Sequence, residues 1–370
     1  MSFYKRLGID TYINAHDTYT IYGGSRMPAE ALEAMKEAAA SFVDIDQMQQ
    51  ILGDKIAEMT NNAGCYITNG AASGITLATA VCMTGDSQYN FSRLPEISAG
   101  VPNEVIVMRC QRNGYDTAIR AAGAVIIEIG DADETLEYEL EGAINSKTAA
   151  VFYFENANFA QASMPLEKVI SIAHSKNIPV VVDAAAQIPP VENLWKFTTE
   201  MGADLALFSG GKTLCGPQDS GLIVGRTELI ASCRKFGAPH HGICRGTKTS
   251  REAMAGLFAA LERYMSIDPI SEYSRLEAIA LQLGEVMQHS GFKTELVPFG
   301  PVGQAYPRIF GQCKADGQAQ RIAAAMKARK IYIGTEHLQN RIYISPLNLT
   351  QEEAAHVGVV LGEVLAQEVR

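Results

Sequence analysis

Residues 203–218 have the sequence ADLALFSGGKTLCGPQ. An apolar run typical of a buried strand leads here into a glycine-rich turn that carries Lys212. Low-dielectric surroundings lower the pKa of an amine and make it a better nucleophile, so a lysine in such a turn is a candidate for covalent chemistry. Ser209 lies three residues earlier and could bind the same ligand. Taken alone, the turn is equally compatible with a flexible loop lysine that has no chemical role.

Two segments upstream carry features that complement this lysine. Residues 68–74, TNGAASG, separate an apolar run from a helical one, and their small side chains would let a phosphate approach the N–H groups at the helix N-terminus. Asp183 ends a second apolar run, and at the carboxyl edge of a parallel sheet its carboxylate would face a ligand crevice. Each segment has a plain alternative: a tight strand-to-helix turn for the first, and an aspartate that caps a loop for the second.

The order of the three segments specifies one cofactor. An anion-binding turn comes first, an acid follows, and a lysine comes about thirty residues after the acid. Pyridoxal 5'-phosphate (PLP) needs a cradle for its phosphate, a carboxylate beside its pyridine nitrogen and an amine that traps its aldehyde. The sequence therefore predicts a PLP site with Lys212 as the Schiff-base lysine.

The pattern around these segments predicts an α/β domain with a mainly parallel sheet. Apolar runs without alternation, which suit strands covered on both faces, are separated by helical patterns. The predicted strands are Cys65–Thr68, Glu104–Met108, Ala124–Ile127, Ala150–Phe154, Pro179–Val182, Asp204–Phe208 and Gly221–Val224. The predicted helices between them are Ala71–Met83, Arg112–Ala122 and Leu166–Ser175. We place the larger domain, with its N-terminal segment, at residues 1–265.

Residues 266–370 are predicted to form a smaller α+β domain. A helix is expected near Ser271–His289, and strands are expected near Ile331–Ile333 and Arg341–Ile344. A final helix is expected to begin at a capping box, Thr350-Gln-Glu-Glu353. The chain is thus expected to have two domains, as its 370 residues also suggest.

Composition excludes several classes of function. The net charge is −10 without a basic run, so the footprint of a nucleic-acid-binding protein is missing. An anionic small-molecule partner is compatible with this charge, because a pocket can be locally basic in an acidic protein. Seven cysteines without a Cys-x-x-Cys pair argue against a disulfide framework and a zinc site, and the His240-His241 pair lacks partners at ligand spacing. The N-terminus lacks the pattern of a signal peptide and no apolar run is long enough to span a membrane, so we expect a cytoplasmic protein.

Several stretches resemble the fold-type I PLP enzymes, and within them the selenocysteine synthase-like group. The matching stretches are Ile13-Asn-Ala, Gly23-Gly-Ser-Arg-Met-Pro28, Phe42-Val-Asp-Ile-Asp46, Gly70-Ala-Ala72, Val182-Asp183 and Phe208-Ser-Gly-Gly-Lys-Thr-Leu-Cys-Gly-Pro-Gln218. The resemblance implies the aspartate-aminotransferase fold and a homodimer or higher homo-oligomer.

The resemblance also implies roles for individual residues. Lys212 and Asp183 match the Schiff-base lysine and the acid at the pyridine nitrogen. The other expected cofactor contacts are Gly70, Ala71, Ala72, Ser73, Gln111, Gln187 and Ser209, with Gln111 near the position that covers the cofactor ring. Arg341 falls where related enzymes keep an arginine for the substrate α-carboxylate, with a surface salt bridge as the alternative. Arg26, Arg245 and Lys248 are candidates for a second anion pocket, with plain surface positions as the alternative.

The expected reaction is elimination of water and ammonia from a 2-amino-3-hydroxy acid. The Phe-Ser-Gly-Gly-Lys turn resembles the D-glucosaminate-6-phosphate ammonia-lyase branch, whereas the selenium transferases tend to have an aspartate before the lysine. The acidic balance and the early start of the matching region also argue against selenium transfer to seryl-tRNA. Aldol cleavage and racemisation remain open, and a non-catalytic binding protein is disfavoured because Lys212 and Asp183 are both present.

Overall fold

The chain divides into two compact units in the computed structural model, which describes residues 3–368. The larger unit spans Met27–Ser266, and the smaller joins the chain from Ile267 onward to the N-terminal residues up to Arg26. The sequence placed the N-terminal segment with the larger domain. It belongs instead with the smaller unit, because Ile13–Ala15 forms a strand, β1, that pairs in parallel with a late strand of that unit.

A seven-stranded sheet forms the centre of the larger unit. Its strands, in chain order, are β2 (Cys65–Thr68), β3 (Glu104–Met108), β4 (Val125–Ile129), β5 (Thr148–Phe154), β6 (Val180–Asp183), β7 (Leu205–Ser209) and β8 (Gly221–Gly225). Their order across the sheet is β2-β8-β7-β6-β5-β3-β4. Only β8 runs antiparallel to its neighbours, so the carboxyl ends of the other described strands meet at one edge.

Helices cover both faces of this sheet. They are α2 (Ala29–Ala39), α3 (Ile45–Met59), α4 (Gly70–Thr84), α5 (Gln88–Arg93), α6 (Thr117–Ala121), α7 (Glu137–Ala143), α8 (Leu166–Ser175), α9 (Asn193–Trp195), α10 (Thr227–Phe236) and α11 (Arg251–Met265). One apolar core packs α3, α8 and α11 on one face, and a second packs α4, α6 and α10 on the other. Every residue of β5 and β6 is buried, as expected for strands covered on both sides.

The smaller unit has a five-stranded sheet of order β1-β11-β12-β10-β9. Its remaining strands are β9 (Lys293–Val297), β10 (Arg308–Gln312), β11 (Ile331–Glu336) and β12 (Arg341–Ile344). The helices of this unit are α1 (Phe3–Arg6), α12 (Pro269–His289), α13 (Gln318–Ala328) and α14 (Gln351–Glu368). The predicted capping box begins α14: the Thr350 N–H donates to Glu353 Oε2 over 3.1 Å, and the Glu353 N–H donates to Thr350 Oγ1 over 3.2 Å.

The structure differs from the sequence prediction most in the segment after β3. A single helix was expected over residues 112–122, but the chain forms two short 3₁₀ turns, Arg109–Gln111 and Gly114–Asp116, before the short helix α6. The cause is local, because the Asn113 side chain accepts a hydrogen bond from the Tyr115 N–H and so favours a turn over a helix. Helix α3 and strands β9 and β10 were not predicted.

Two absences apply to the described residues. No helix between residues 3 and 368 is long and apolar enough to cross a membrane. All seven cysteines are free thiols in this part of the chain, and Cys65, Cys233, Cys244 and Cys313 are buried.

Candidate active site

The predicted site residues meet at the carboxyl edge of the large sheet. Thr68 ends β2, Asp183 ends β6 and Ser209 ends β7, and these strands point in the same direction. The amino end of β8 lies between β2 and β7, where Gly221 pairs with both Thr68 and Ser209. This edge is the usual ligand crevice of a parallel sheet, so topology alone gathers the three predicted segments.

The backbone at the N-terminus of α4 is open to close approach by a ligand. Gly70 adopts a φ of +73°, which favours glycine, and the Thr68 hydroxyl donates to the Gly70 carbonyl over 2.9 Å. No side chain caps the first turn, so its N–H groups are available for an anion. Gly221 lets this turn sit against β8, since a Cβ there would lie 2.7 Å from Gly70 C and 2.9 Å from Ala71 N.

Asp183 is a buried carboxylate, with 9% of its surface exposed. Burial raises the pKa of Asp183, while the Ala185 N–H and the charge of Lys212 oppose that rise. The Ala185 N–H donates to Asp183 Oδ1 over 3.0 Å, which fixes the orientation of the carboxylate. A buried acid placed at this edge needs a cationic partner, and a protonated pyridine nitrogen is such a partner.

The turn that carries Lys212 is held firmly by main-chain hydrogen bonds. The Gly210 N–H donates to the Ser220 carbonyl over 2.8 Å, and the Cys215 N–H donates to the Lys212 carbonyl over 2.9 Å. Gly211 has no room for a side chain, because a Cβ there would lie 2.7 Å from Gln218 Cα. These contacts disfavour the alternative of a flexible loop lysine. Lys212 is also close enough for its charge to act on Asp183.

Gln187 and Gln111 brace the neighbouring strands. The Gln187 amide donates to the Glu155 carbonyl over 2.7 Å, and the Glu155 N–H donates to the Asp183 carbonyl over 3.0 Å. Gln111 is only 1% exposed. Its amide donates to Ser163 Oγ over 3.0 Å and accepts from the Phe154 N–H over 2.9 Å. Because the polypeptide uses both ends of this amide, the geometry favours a positioning role for Gln111.

A small cleft lies beside the first turn of α4. It is lined by Tyr66, Thr68, Asn69, Ser73, Leu77, Ala238, Cys244, Thr247 and Thr249. The Asn69 amide donates to the Lys248 carbonyl over 3.1 Å, which ties the segment carrying Arg245 and Lys248 to the α4 turn. Arg245 and Lys248 are exposed, and within residues 3–368 neither forms an ion pair. They therefore remain candidates for an anion pocket next to the cradle.

Two other predicted anion-binding residues, Arg26 and Arg341, lie in the smaller unit and already have partners. Arg26 forms an ion pair with Glu353 at 2.6 Å. Arg341 contacts Glu295 at 2.7 Å and Glu336 at 2.6 Å. These pairs favour the salt-bridge alternative for Arg341, while its predicted role toward substrate stays a prediction.

The His240-His241 pair was interpreted as a loop rather than a metal site. His240 Nδ1 lies 3.0 Å from the Gly237 carbonyl, and its Nε2 lies 3.5 Å from Asp46. Within the described residues no group of three potential metal ligands exists.

The site fits PLP. The α4 turn offers uncapped N–H groups beside Ser73, Asp183 offers a buried acid, and Lys212 offers an amine near that acid. Gly221 lets the cradle turn sit against β8, and a Cβ at Gly70 would meet nothing within 4 Å. The roles of Gly221 and Gln218 were not predicted from the sequence. For Gly221 a signal was available, because a glycine that begins an apolar strand often marks a place where another backbone segment comes close.

Comparison with known proteins places the chain in a family. A family model described as SelA, L-seryl-tRNA selenium transferase, matches residues 114–289. D-Glucosaminate-6-phosphate ammonia lyase of Salmonella typhimurium is 34% identical over 284 residues, which cover 75% of this chain and 74% of that protein. The chain belongs to the SelA-like family of PLP-dependent enzymes.

Other members of this SelA-like family, and other proteins with its fold, are also similar to this chain. A 5'-C-glycyluridine monooxygenase-decarboxylase of a Streptomyces species is 30% identical, over 76% of this chain and 71% of that protein. The solved structure of D-glucosaminate-6-phosphate ammonia-lyase superposes with a TM-score of 0.85, at 29% identity and over all of both chains. Serine palmitoyltransferase with PLP gives a TM-score of 0.61, at 13% identity, over 97% of this chain and 88% of that chain. The predicted fold and cofactor are thereby confirmed.

Proposed function

We propose that this SelA-like enzyme eliminates water and ammonia from a phosphorylated 2-amino-3-hydroxy sugar acid, of which D-glucosaminate 6-phosphate is the leading candidate. The observation that carries the proposal is that Lys212 lies within electrostatic range of buried Asp183, at the same sheet edge as the α4 cradle. The similarity to D-glucosaminate-6-phosphate ammonia lyase supports the choice of reaction.

PLP bound at this site would supply an electron sink that acidifies the bonds at the substrate α-carbon. The uncapped turn of α4, with Ser73 and Ser209, would hold its phosphate, and the Asp183 carboxylate would keep its ring nitrogen protonated. The Lys212 amine would hold it covalently before substrate arrives.

Lys212 then acts as the base. With substrate bound to the cofactor, Lys212 Nζ would take the α-proton, and the resulting ammonium would protonate the leaving β-hydroxyl. Water is lost in this step and is taken up again when the nitrogen leaves as ammonia. The net change is therefore amino acid to 3-deoxy-2-keto acid plus ammonia.

The substrate phosphate is proposed to bind near Arg245 and Lys248. Both are exposed cations on a segment tied to α4 through the Asn69–Lys248 hydrogen bond. A phosphate dianion suits such a pair, because the arginine fork can bind two of its oxygens and the lysine ammonium adds a point charge. We also propose that the enzyme works as a homo-oligomer, which its resemblance to fold-type I enzymes implies.

The experiment is a product assay on the purified enzyme with PLP. D-Glucosaminate 6-phosphate should yield ammonia and a keto acid in equal amounts, and Lys212→Ala should abolish both. An aldehyde product would indicate aldol cleavage, an inverted α-carbon would indicate racemisation, and oxygen uptake with CO₂ release would point to the chemistry of the monooxygenase-decarboxylase relative. Any of these, in place of ammonia and keto acid, would overturn the proposed reaction.

A further inference from the structure

Two consecutive glycines, Gly210 and Gly211, precede Lys212. Glycine adopts a wider range of backbone conformations than other residues, so this pair by itself would leave the direction of the lysine side chain poorly fixed. Main-chain hydrogen bonds hold Gly210, whose N–H donates to the Ser220 carbonyl and whose carbonyl accepts from the Gly216 N–H, each over 2.8 Å. The peptide that joins Gly211 to Lys212 is the next point at which the turn can rotate.

The side chain of Gln218 contacts that peptide directly. Its Nε2 donates to the Gly211 carbonyl. Gln218 also packs on Gly211, because a Cβ at Gly211 would meet Gln218 Nε2 at 2.5 Å, Cα at 2.7 Å and Cδ at 3.0 Å. Gln218 thus occupies the space that a side chain at position 211 would fill, and it fixes the carbonyl whose rotation would turn the backbone of Lys212.

The backbone on the other side of Lys212 is held as well. The Lys212 carbonyl accepts from the Cys215 N–H over 2.9 Å, and the Thr213 hydroxyl donates to the Ile188 carbonyl over 2.6 Å. Ile188 belongs to the loop that follows Asp183, so Thr213 ties the lysine turn to the loop after the acid. Hydrogen bonds therefore flank the lysine both before and after it in the chain.

The contact made by Gln218 provides orientation rather than core packing. Gln218 is exposed, so it does not fill the apolar core. Holding a long polar side chain in one geometry costs conformational entropy, and the hydrogen bond to Gly211 offsets that cost while it restrains the glycine. Orientation matters for Lys212 because a misplacement of about 1 Å in a reacting group can lower its reactivity about 100-fold.

We propose that Gln218 is a positioning residue: by fixing the Gly211 carbonyl, it orients the Lys212 amine for its covalent bond with PLP. This role depends on the proposed function of Lys212 as the residue that holds PLP covalently.

The test compares the binding of two ligands to the full-length apoenzyme by isothermal titration calorimetry. PLP can bond with Lys212, whereas pyridoxine 5'-phosphate has the same ring and phosphate but an alcohol in place of the aldehyde, so it cannot. The ratio of the two dissociation constants therefore measures the covalent contribution of Lys212. Gln218→Met, which keeps the length of the side chain and removes its donor, should weaken PLP binding about 10-fold and leave binding of pyridoxine 5'-phosphate unchanged.

Gln312→Met is the matched control. Gln312 is also exposed, and its amide donates to the Gln339 carbonyl over 3.0 Å in the smaller unit. This variant should bind both ligands as the wild type does. Gln218→Ala should behave as Gln218→Met does, and it decides the question if Gln218→Met misfolds, which circular dichroism would show.

The possible failures are distinct. Equal weakening of both ligands would show that Gln218 supports the site as a whole, and wild-type binding of both ligands would show that it has no role; either result overturns the proposal. Lys212→Ala should bind the two ligands with similar affinity. If Lys212→Ala keeps a preference for PLP, the proposed function of Lys212 is wrong and the role of Gln218 is wrong with it. If Lys212→Ala loses that preference while Gln218→Met and Gln218→Ala keep it in full, only the role of Gln218 is wrong.

Discussion

Gly221→Ala should weaken PLP binding through a backbone collision. The added Cβ would lie 2.7 Å from Gly70 C, 2.9 Å from Ala71 N and 2.9 Å from Phe208 O. All three are main-chain atoms, in the first turn of α4 or in β7, so no side-chain rotation relieves the contact. Either β8 or the first turn of α4 must move.

The size of the effect follows from the size of that movement. Ordinary contact begins near 3.4 Å, so the turn must retreat by about 0.7 Å. Overpacking of this kind costs about 1–3 kcal/mol of unfolding free energy. A displacement approaching 1 Å also misaligns the N–H groups that would hold the phosphate, and the loss of one such hydrogen bond to a charged group should weaken PLP binding about 10–100-fold.

Gly142→Ala is the matched control. Gly142 lies in α7 with an ordinary φ, and a Cβ there would meet nothing within 4 Å. It should raise the free energy of unfolding by about 0.5–1 kcal/mol, because alanine favours the helix, and should not affect the cofactor. Urea unfolding of the apoenzyme and equilibrium titration with PLP, followed by its visible absorbance, measure the two quantities separately. A Gly221→Ala enzyme that binds PLP as tightly as Gly142→Ala would refute the cradle geometry.

Three further predictions concern charge. Asp183→Asn should release PLP at least about 10-fold more readily, measured by dialysis. Burial raises the pKa of Asp183, so its contribution to apoenzyme stability is greatest below the unfolded-state pKa and is lost as pH rises through the folded-state pKa. The apo variant should therefore be more stable than the apo wild type in urea melts at pH 7. A variant less stable than the wild type would contradict the assignment. The pKa of His16 is lowered to about 4, by burial first and by Arg308 second, so its imidazole should give neutral NMR signals down to about pH 5. The stability that His16 contributes should be lost as pH falls from about 6.5 toward 4. Protonation near pH 6.5 would disprove its burial beside Arg308. Arg341→Met should lower the free energy of unfolding by no more than about 1 kcal/mol, because Glu295 and Glu336 are open to solvent and can be hydrated without their partner; a loss well above that would contradict the solvent-screened pairing.

The large sheet and the site on it were predictable because their signals are local. A buried strand, a glycine-rich turn and a polar residue at the strand end lie within a few positions of one another, as in residues 205–212. The parallel direction of β2, β6 and β7 then gathers Thr68, Asp183 and Lys212 without any further information. Local chemistry also explains why the helix predicted after β3 does not form as one continuous helix, because the Asn113 side chain competes with helix formation there.

The smaller unit was less predictable because its decisive contacts are distant in sequence. Strand β1 is three residues long and becomes a strand only by pairing with β11, more than 300 residues later. Arg341 depends on distant residues in a similar way: it opens β12, and its partners Glu295 and Glu336 lie on two other strands, β9 and β11. Its guanidinium contacts those two carboxylates at 2.7 Å and 2.6 Å and lies 4.5 Å from the centroid of the Phe310 ring. The carboxylates that engage an arginine thus come from other strands, and the sequence that flanks the arginine does not specify them.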